Sequence, residues 1–203
     1  MFDARLRPLI DPPLDALGRR LASAGIGANA VTLAGLVPGL GAGAAIAQGH
    51  YLAGLALILV NRLLDGLDGA VARRHGITDF GGFLDSLADY VFYVAVPVGF
   101  GLANPAHLLP ALLLVASFTL TCASFLGFAA IAARRGQQTM AHGTKSIVYS
   151  TGLAEGAETI AAFIAMCLWP AWFPAIAAGF AVLCLLTVIQ RGLLARKEFG
   201  GLD

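Results

Sequence analysis

Long apolar segments recur along the chain and are separated by short polar connections. Windows of about 20 mostly apolar residues, the length that a helix needs to cross a bilayer, occur at 29–49, 51–73, 79–102, 108–133, 146–169 and 171–194. Ahead of them, Leu14, Leu17 and Leu21 recur at helical spacing beside Arg19 and Arg20, which is typical of an amphipathic helix in the cytoplasmic interface. The pattern predicts an all-α, polytopic membrane protein with six transmembrane helices preceded by that interfacial helix.

The boundaries of this arrangement follow from local signals. Asp11 followed by Pro12 predicts the start of the interfacial helix, because the acid can cap free amides and proline suits the first turn. The sequence contains no evident repeat or linker, so we expect a single domain over 1–203. It would comprise a cytoplasmic leader with the interfacial helix (1–26), six transmembrane helices (about 29–194) and a cytoplasmic tail (195–203).

Composition and charge support a membrane location. The chain is 58% hydrophobic and 12% charged, with a mean hydropathy of +0.80, far from the usage of soluble domains. Lys and Arg occur near the termini and in alternate connections, and this bias predicts that both termini are cytoplasmic. We expect a multi-pass protein of a bacterial inner membrane. The cluster Trp169, Trp172 and Phe173 is typical of an outer interfacial belt.

The second and third apolar windows contain an unusual density of acids. Five of the twelve carboxylates fall within 61–90. Asp65 and Asp68 are three residues apart and Asp85 and Asp89 are four apart, so each pair occupies one helix face. Because a short turn joins the two helices, we expect the pairs to face each other, roughly 7 to 15 Å below the cytoplasmic ends of the helices.

Four anions at this depth repel one another strongly, and ionisable groups inside a membrane usually mark function. Carboxylate oxygens suit Mg²⁺ or Mn²⁺, and the absence of suitably spaced Cys or His disfavours zinc. Gly66, Gly69, Gly81 and Gly82 interleave with the acids and could admit a polar ligand close to the backbone, although helix packing explains each glycine equally well. Asp79, at the start of the third window, is expected to cap that helix. The acids therefore predict a divalent-metal site.

The segments "DGLDGAVAR" and "GGFLDSLAD" resemble the signature of the CDP-alcohol phosphotransferases. The matching residues are Asp65, Asp68, Gly69, Ala72, Arg73, Gly81, Asp85 and Asp89. Seven residues separate Arg73 from Gly81 where the family usually has eight, so either the turn is one residue shorter or Gly82 takes the glycine role. "NAVTLAG" resembles the family's Asn-x-x-Thr element near the nucleotide, through Asn29 and Thr32.

The resemblance implies that the phosphatidyl group of CDP-diacylglycerol is transferred to the hydroxyl of a small alcohol, with release of CMP at a site open to the cytoplasm. It implies two Mg²⁺ or Mn²⁺ ions held by Asp65, Asp68 and Asp85, with Asp89 completing the metal site and acting as the catalytic base. The residues it assigns to the CDP donor are Asn29, Thr32, Gly69, Ala72, Arg73, Gly81 and Gly82. It is compatible with a homodimer in the bilayer, and no nucleic acid partner is expected.

The acceptor alcohol is less well defined by the sequence. A phosphorylated polyol requires a basic subsite, and the loop "ARRGQQTMAHGTKS" supplies Arg134, Arg135 and Lys145, although most loop charges simply follow topology. His142 in the same loop is more typical of a solvated residue. Glycerol 3-phosphate, as in phosphatidylglycerophosphate synthase-like members, is the first expectation and inositol phosphate the second, while serine and choline stay open.

Two other classes of protein also place acids between membrane helices. A metal-dependent prenyltransferase binds a diphosphate, but its two aspartate motifs lie far apart in sequence. A cation transporter would be expected to show inverted repeats or paired broken helices and a site near the midplane. Neither pattern is evident here.

One further set of charges lies inside the predicted spans. Arg62 is one turn deeper than Asp65, and Glu155 and Glu158 lie in the fifth window. Since unpaired charges at this depth are costly, we expect Arg62 to pair with one of these glutamates or with an acid of the metal site.

Overall fold

A computed structural model describes residues 3–135 and 153–200, with side chains from Asp11 onward. The described residues are helical and contain no strand, which confirms the all-α class. The helices are α1 (Asp3–Ser23), α2 (Ala28–Ala47), α3 (Tyr51–His75), α4 (Asp79–Ala103), α5 (Leu108–Arg134), α6 (Gly156–Leu168) and α7 (Phe173–Phe199). Short 3₁₀ turns at Pro105–His107 and Pro170–Trp172 lead into α5 and α7.

Four helical segments of the described chain are long and apolar enough to cross a membrane: Ala28–Ala47, Asp79–Ala103, Pro105–Arg134 and Pro170–Phe199. α3 has 25 residues, but its second half carries the charged residues of the acid-rich segment. The predicted count of six spans therefore stays a prediction.

α6 is much shorter than the window 146–169 from which a span was predicted. It has 13 residues and begins at Gly156, while residues 153–155 are not helical and 146–152 lie outside the described residues. The amides of Leu153 and Ala154 donate to Oγ1 of Thr187 on α7, at 3.1 and 3.0 Å. The buried Thr187 hydroxyl thus takes the place of the helical carbonyls that these amides lack.

Two expected helix starts are wrong. α1 runs from Asp3 through Asp11, because proline fixes φ near its helical value and a helix can continue through it at the cost of a hydrogen bond. The N-cap of α4 is Thr78, not Asp79: its backbone is extended and its Oγ1 accepts from the amide of Gly81 at 3.0 Å. Asp79 instead lies in the first turn, where its charge favours the helix dipole.

The helices pack into one bundle in which α2 contacts both α3 and α4, α1 covers α3, and α5 contacts α4 and α7. Small residues allow the closest approaches. A Cβ on Gly43 of α2 would lie 2.5 Å from the carbonyl oxygen of Ala95 on α4, and a Cβ on Gly18 of α1 would lie 2.7 Å from the Cβ of Ala70 on α3. These contacts fix the helices that carry the acids.

The aromatic cluster before α7 is divided between surface and core. Trp169 and Trp172 are 57% and 66% exposed, as a belt requires. Phe173 is fully buried and stacks on Phe100 with ring centroids 4.3 Å apart, so its predicted place in the belt is wrong. The 3₁₀ turn rotates Phe173 away from the two tryptophans and into the bundle.

Candidate active site

Acids from α3 and α4 converge near the turn that joins the two helices. Carboxylate oxygens of Asp65, Asp85 and Asp89 all lie within 4.8 Å of one another. The turn is short because Gly76 ends α3 with a φ of 99°, a value that favours glycine, and α4 begins three residues later. The meeting of acids from the two helices that the short turn predicts is therefore present.

The fourth acid, Asp68, contacts the same cavity from a more buried position. It is 6% exposed and lines a cavity together with Asp65 and Asp89. Its Oδ2 accepts a hydrogen bond from Oγ1 of Thr32 on α2 at 2.7 Å. The structure thus brings Thr32, a predicted donor-binding residue, into direct contact with a predicted metal ligand, and α2 becomes the third wall of the site.

Arg62 pairs with two of the acids, which confirms the second of the two alternatives expected for it. Its Nη2 donates to Oδ1 of Asp89 at 2.9 Å, and its Nη1 lies 3.4 Å from Oδ2 of Asp65. The side chain is 17% exposed. The guanidinium therefore joins α3 to α4 inside the acid cluster.

The predicted donor-side glycines occupy different environments. A Cβ on Gly81 would lie 3.2 Å from Oδ1 of Asn29, so this glycine lets the start of α2 approach the start of α4. A Cβ on Gly82 would meet nothing within 4 Å. Gly66 packs against Leu14, whose Cδ1 would lie 2.7 Å from a Cβ there, and it is a packing residue.

Arg73, expected to bind the donor phosphate, forms an ion pair with α1. Its Nη2 donates to Oδ1 of Asp15 at 2.8 Å, and this hydrogen bond from Arg73 holds the pKa of Asp15 below its usual range. Gly69 lies on the same side of α3, where a Cβ would be 3.5 Å from Nη1 of Arg73, and the half-buried Ala72 precedes Arg73 in the chain. The Arg73 side chain is half-exposed, so an anion from solution can reach it and replace Asp15 as its partner.

The three acceptor candidates are not assembled into a subsite by the described residues. Arg134 is exposed. Arg135 donates to the carbonyl oxygens of Glu198 and Phe199 at 3.2 and 2.9 Å and lies over the Phe199 ring, so it caps the end of α7. Lys145 and the neighbouring His142 lie outside the described residues.

Sequence reasoning missed the contacts of Arg191 on α7. Its Nη1 donates to the carbonyl oxygen of Thr121 at 2.9 Å and to Oγ of Ser124 at 2.7 Å, and Tyr90 and the carboxylate of Glu155 lie near it. Tyr90 follows Asp89 directly in the sequence. An arginine followed by further basic residues in a terminal segment looks like a topology signal, and only the tertiary contacts distinguish Arg191 from its neighbours.

The donor set fits a divalent cation. The three clustered groups are carboxylates, and hard oxygen ligands are what Mg²⁺ and Mn²⁺ prefer. The described cluster contains no Cys or His. Within the site, Arg62 supplies one positive charge against four carboxylates, and a bound divalent cation would balance more of their charge.

Comparison with known proteins identifies the family. Residues 26–190 match the family model of the CDP-alcohol phosphatidyltransferases, and the chain belongs to this family. It is therefore a membrane phosphotransferase of phospholipid synthesis, as the resemblance at the acid motif predicted.

Individual relatives agree with this assignment. The chain is 46% identical to the inner membrane protein YnjF of Escherichia coli, over 94% of this chain and 93% of that one. It is 32% identical to the archaetidylinositol phosphate synthase of Pyrococcus horikoshii, over 96% and 97% of the two chains. The crystal structure of Mycobacterium tuberculosis phosphatidylinositol phosphate synthase (PgsA1) with CDP-DAG bound is similar with a TM-score of 0.63 and 25% identity, over 88% and 90% of the chains.

Proposed function

We propose that this enzyme transfers the phosphatidyl group of CDP-diacylglycerol to the hydroxyl of a phosphorylated polyol and releases CMP. The observation that carries the proposal is the convergence of Asp65, Asp85 and Asp89 within 4.8 Å, with Asp68 on the same cavity. All four belong to the segment that matches the family signature. The CDP-DAG bound to the mycobacterial relative supports this choice of donor.

The chain's own residues divide the chemical work. Asp65, Asp68 and Asp85 hold Mg²⁺ or Mn²⁺, whose positive charge would offset the negative charge of the donor diphosphate. Thr32 orients Asp68 through the 2.7 Å hydrogen bond, as partners of metal ligands commonly do. Asp89 completes the site and accepts the proton of the acceptor hydroxyl, because a hydroxyl is a poor nucleophile until its proton is taken.

The donor's nucleotide and phosphates lie where α2, α3 and α4 begin or end near the cytoplasm. Asn29 and Gly81 are in contact range at the starts of α2 and α4, and the open space over Gly82 leaves room for the ligand. Arg73 exchanges its partner from Asp15 to a donor phosphate, since a guanidinium matches phosphate oxygens with paired donors.

The comparisons favour an inositol phosphate over glycerol 3-phosphate, which reverses the order expected from the sequence. Two relatives are named for inositol phosphate products, the archaeal synthase and the mycobacterial one. Outside the acid cluster, our candidate for the acceptor phosphate is Arg191, a partly buried cation on α7 that lies near Tyr90, the residue after Asp89. Lys145 remains a second candidate from the sequence.

The topology completes the proposal. With six spans and both termini in the cytoplasm, the acid cluster is accessible from the cytoplasm, the side from which soluble acceptors arrive. The basic residues that give this orientation flank the helix ends nearest the site, including Arg73 and Arg74 at the end of α3.

The test is CMP release by purified full-length protein given CDP-diacylglycerol and, separately, inositol phosphate, glycerol 3-phosphate, serine and choline. We expect release to be fastest with inositol phosphate, to vanish with EDTA and to return with Mg²⁺ or Mn²⁺. The phosphate-free inositol is the matched control and should be a poor acceptor. CMP release that persists in fully chelated enzyme, or no release with any acceptor, would contradict the proposal.

A further inference from the structure

Arg62 lies inside the site but outside the motif that matches the family signature. Its guanidinium contacts Asp89 of α4 at 2.9 Å and Asp65 of α3 at 3.4 Å. These acids are assigned to the metal site in the proposed function, on which this inference rests. A cation between two metal ligands repels the metal ion that the ligands bind. The position of Arg62 between Asp65 and Asp89 therefore requires an explanation.

The position of Arg62 is fixed from its other side. Its Nε donates to Oδ1 of Asn61 at 2.9 Å, and Nδ2 of Asn61 donates to the carbonyl oxygen of Gly35 on α2 at 2.8 Å. The guanidinium carbon lies 4.4 Å from the centre of the buried Phe92 ring. A continuous chain of contacts therefore runs from the backbone of α2, through Asn61 and Arg62, to the carboxylate of Asp89.

Glycines make this chain of contacts possible. A Cβ on Gly39 would lie 3.0 Å from Nδ2 of Asn61, and a Cβ on Gly35 would lie 3.3 Å from Cβ of Leu64. α3 can thus approach α2 closely enough for Asn61 to reach a main-chain oxygen. Asn61 is 5% exposed, so its geometry is set by packing.

We propose that Arg62 is a positioning residue that holds the Asp89 carboxylate in place and gives the site a permanent positive charge, which favours the anionic donor at the expense of metal affinity. With one of its oxygens bound to Arg62, Asp89 has its rotamer fixed and presents the other oxygen to the acceptor. The four acids with Arg62 carry one unit less negative charge than the acids alone. The site with Arg62 therefore binds metal ions less tightly, and the donor diphosphate more tightly, than the four acids would without it.

This role differs from simple structural pairing in the direction of its effects. If Arg62 only held α3 and α4 together, its loss would weaken metal binding and turnover in parallel. If it acts as proposed, its loss strengthens metal binding while donor binding and turnover weaken. Arg62→Met has a side chain of similar reach without the charge, and Arg62→Lys keeps the charge without the two-pronged geometry.

The experiment uses full-length protein in detergent micelles. Mn²⁺ binding is measured without donor from the electron paramagnetic resonance signal of the free ion, and CMP release is measured against donor concentration at saturating Mg²⁺. In Arg62→Met we expect the Mn²⁺ dissociation constant to fall at least about threefold, the donor KM to rise and kcat to fall at least about tenfold. In Arg62→Lys we expect donor KM within about threefold of the wild type but a kcat still reduced about tenfold.

Arg74→Met is the matched control, because Arg74 is an exposed arginine on the same helix. We expect its Mn²⁺ affinity, KM and kcat to be unchanged. Wild-type behaviour of Arg62→Met, or a parallel fall of its Mn²⁺ affinity and turnover, overturns the inference. If Arg62→Met does not fold, as judged by size-exclusion chromatography, Arg62→Lys decides, and a wild-type kcat in that variant overturns it. An inactive wild type would refute the proposed function instead, while the Mn²⁺ measurements would still decide the role of Arg62.

Discussion

Replacing Gly43 with alanine introduces one methyl group at the closest crossing of α2 and α4. That methyl carbon would lie 2.5 Å from the carbonyl oxygen of Ala95 and 3.0 Å from its carbonyl carbon. Both obstructing atoms belong to the backbone, so no side-chain rotation relieves the contact. The opposing residue Gly99 has the reciprocal constraint, because a Cβ there would clash with the carbonyl group of Gly43.

The expected cost follows from the distance. Ordinary contact begins at 3.4 Å, so the two backbones must separate by about 0.9 Å, the difference between 3.4 and 2.5 Å. Overpacking of a close interface typically costs about 1–3 kcal/mol, and a rigid backbone obstacle places this site in the upper half of that range. For a chain of this size, about 2–3 kcal/mol corresponds to a fall of roughly 4–12 °C in the unfolding temperature.

The assay is thermal unfolding of purified protein in detergent, with Gly179→Ala as the matched control. A Cβ on Gly179 would meet nothing within 4 Å, so that substitution should be neutral or should stabilise α7 by up to about 1 kcal/mol through helix propensity. Because α2 carries Thr32 and α4 carries Asp85 and Asp89, Gly43→Ala should also raise the Mg²⁺ concentration needed for half-maximal CMP release. Equal unfolding temperatures for the two variants would refute the packing argument.

Three further predictions concern the site. Asp89→Asn keeps the side-chain volume but removes the base, so kcat for CMP release should fall at least about 10²-fold while Mn²⁺ still binds, and near-normal turnover would remove Asp89 from that role. Thr32→Val removes the hydrogen bond to Asp68 and should weaken Mg²⁺ activation about 10- to 100-fold, whereas Thr119→Val, at an exposed position, should match the wild type. Asp15 has a lowered pKa, so its ion pair with Arg73 stabilises the folded protein at pH values above the usual aspartate pKa and loses this effect as the pH falls. The unfolding temperatures of the wild type and of Asp15→Asn should therefore converge below about pH 4. A difference in unfolding temperature that does not change with pH would exclude the ion pair as the cause of that difference.

The acids of the site could be predicted from the sequence because their information is local. Asp65 with Asp68, and Asp85 with Asp89, lie one helical turn apart on helices joined by a short turn, so helix geometry and chain connectivity alone bring them together. The apolar windows likewise located α2, α4, α5 and α7 to within a few residues, because a run of apolar residues and the polar connection after it are visible without tertiary structure.

The remaining contacts could not be predicted because they join distant parts of the chain. Arg73 and Asp15 are 58 residues apart, and Arg191 and Thr121 are 70 apart, and neither pair leaves a periodic pattern. Hydropathy also hid the late start of α6. The segment before it is apolar enough to resemble a span, and only the hydroxyl of Thr187 explains how the amides of Leu153 and Ala154 are satisfied without a helix.

The late start of α6 has a consequence for the surrounding lipid. A helix of 13 residues is roughly 20 Å long, about 10 Å short of the hydrocarbon thickness. If α6 crosses the bilayer as part of the fifth span that the sequence predicts, the shortfall lies at its start, near Glu155 and Arg191. The bilayer around this point would then have to thin, or water and headgroups would have to enter to its depth. A soluble acceptor could approach along this hydrated indentation while the lipid donor stays in its leaflet, and activity should then depend on acyl-chain length in reconstituted membranes.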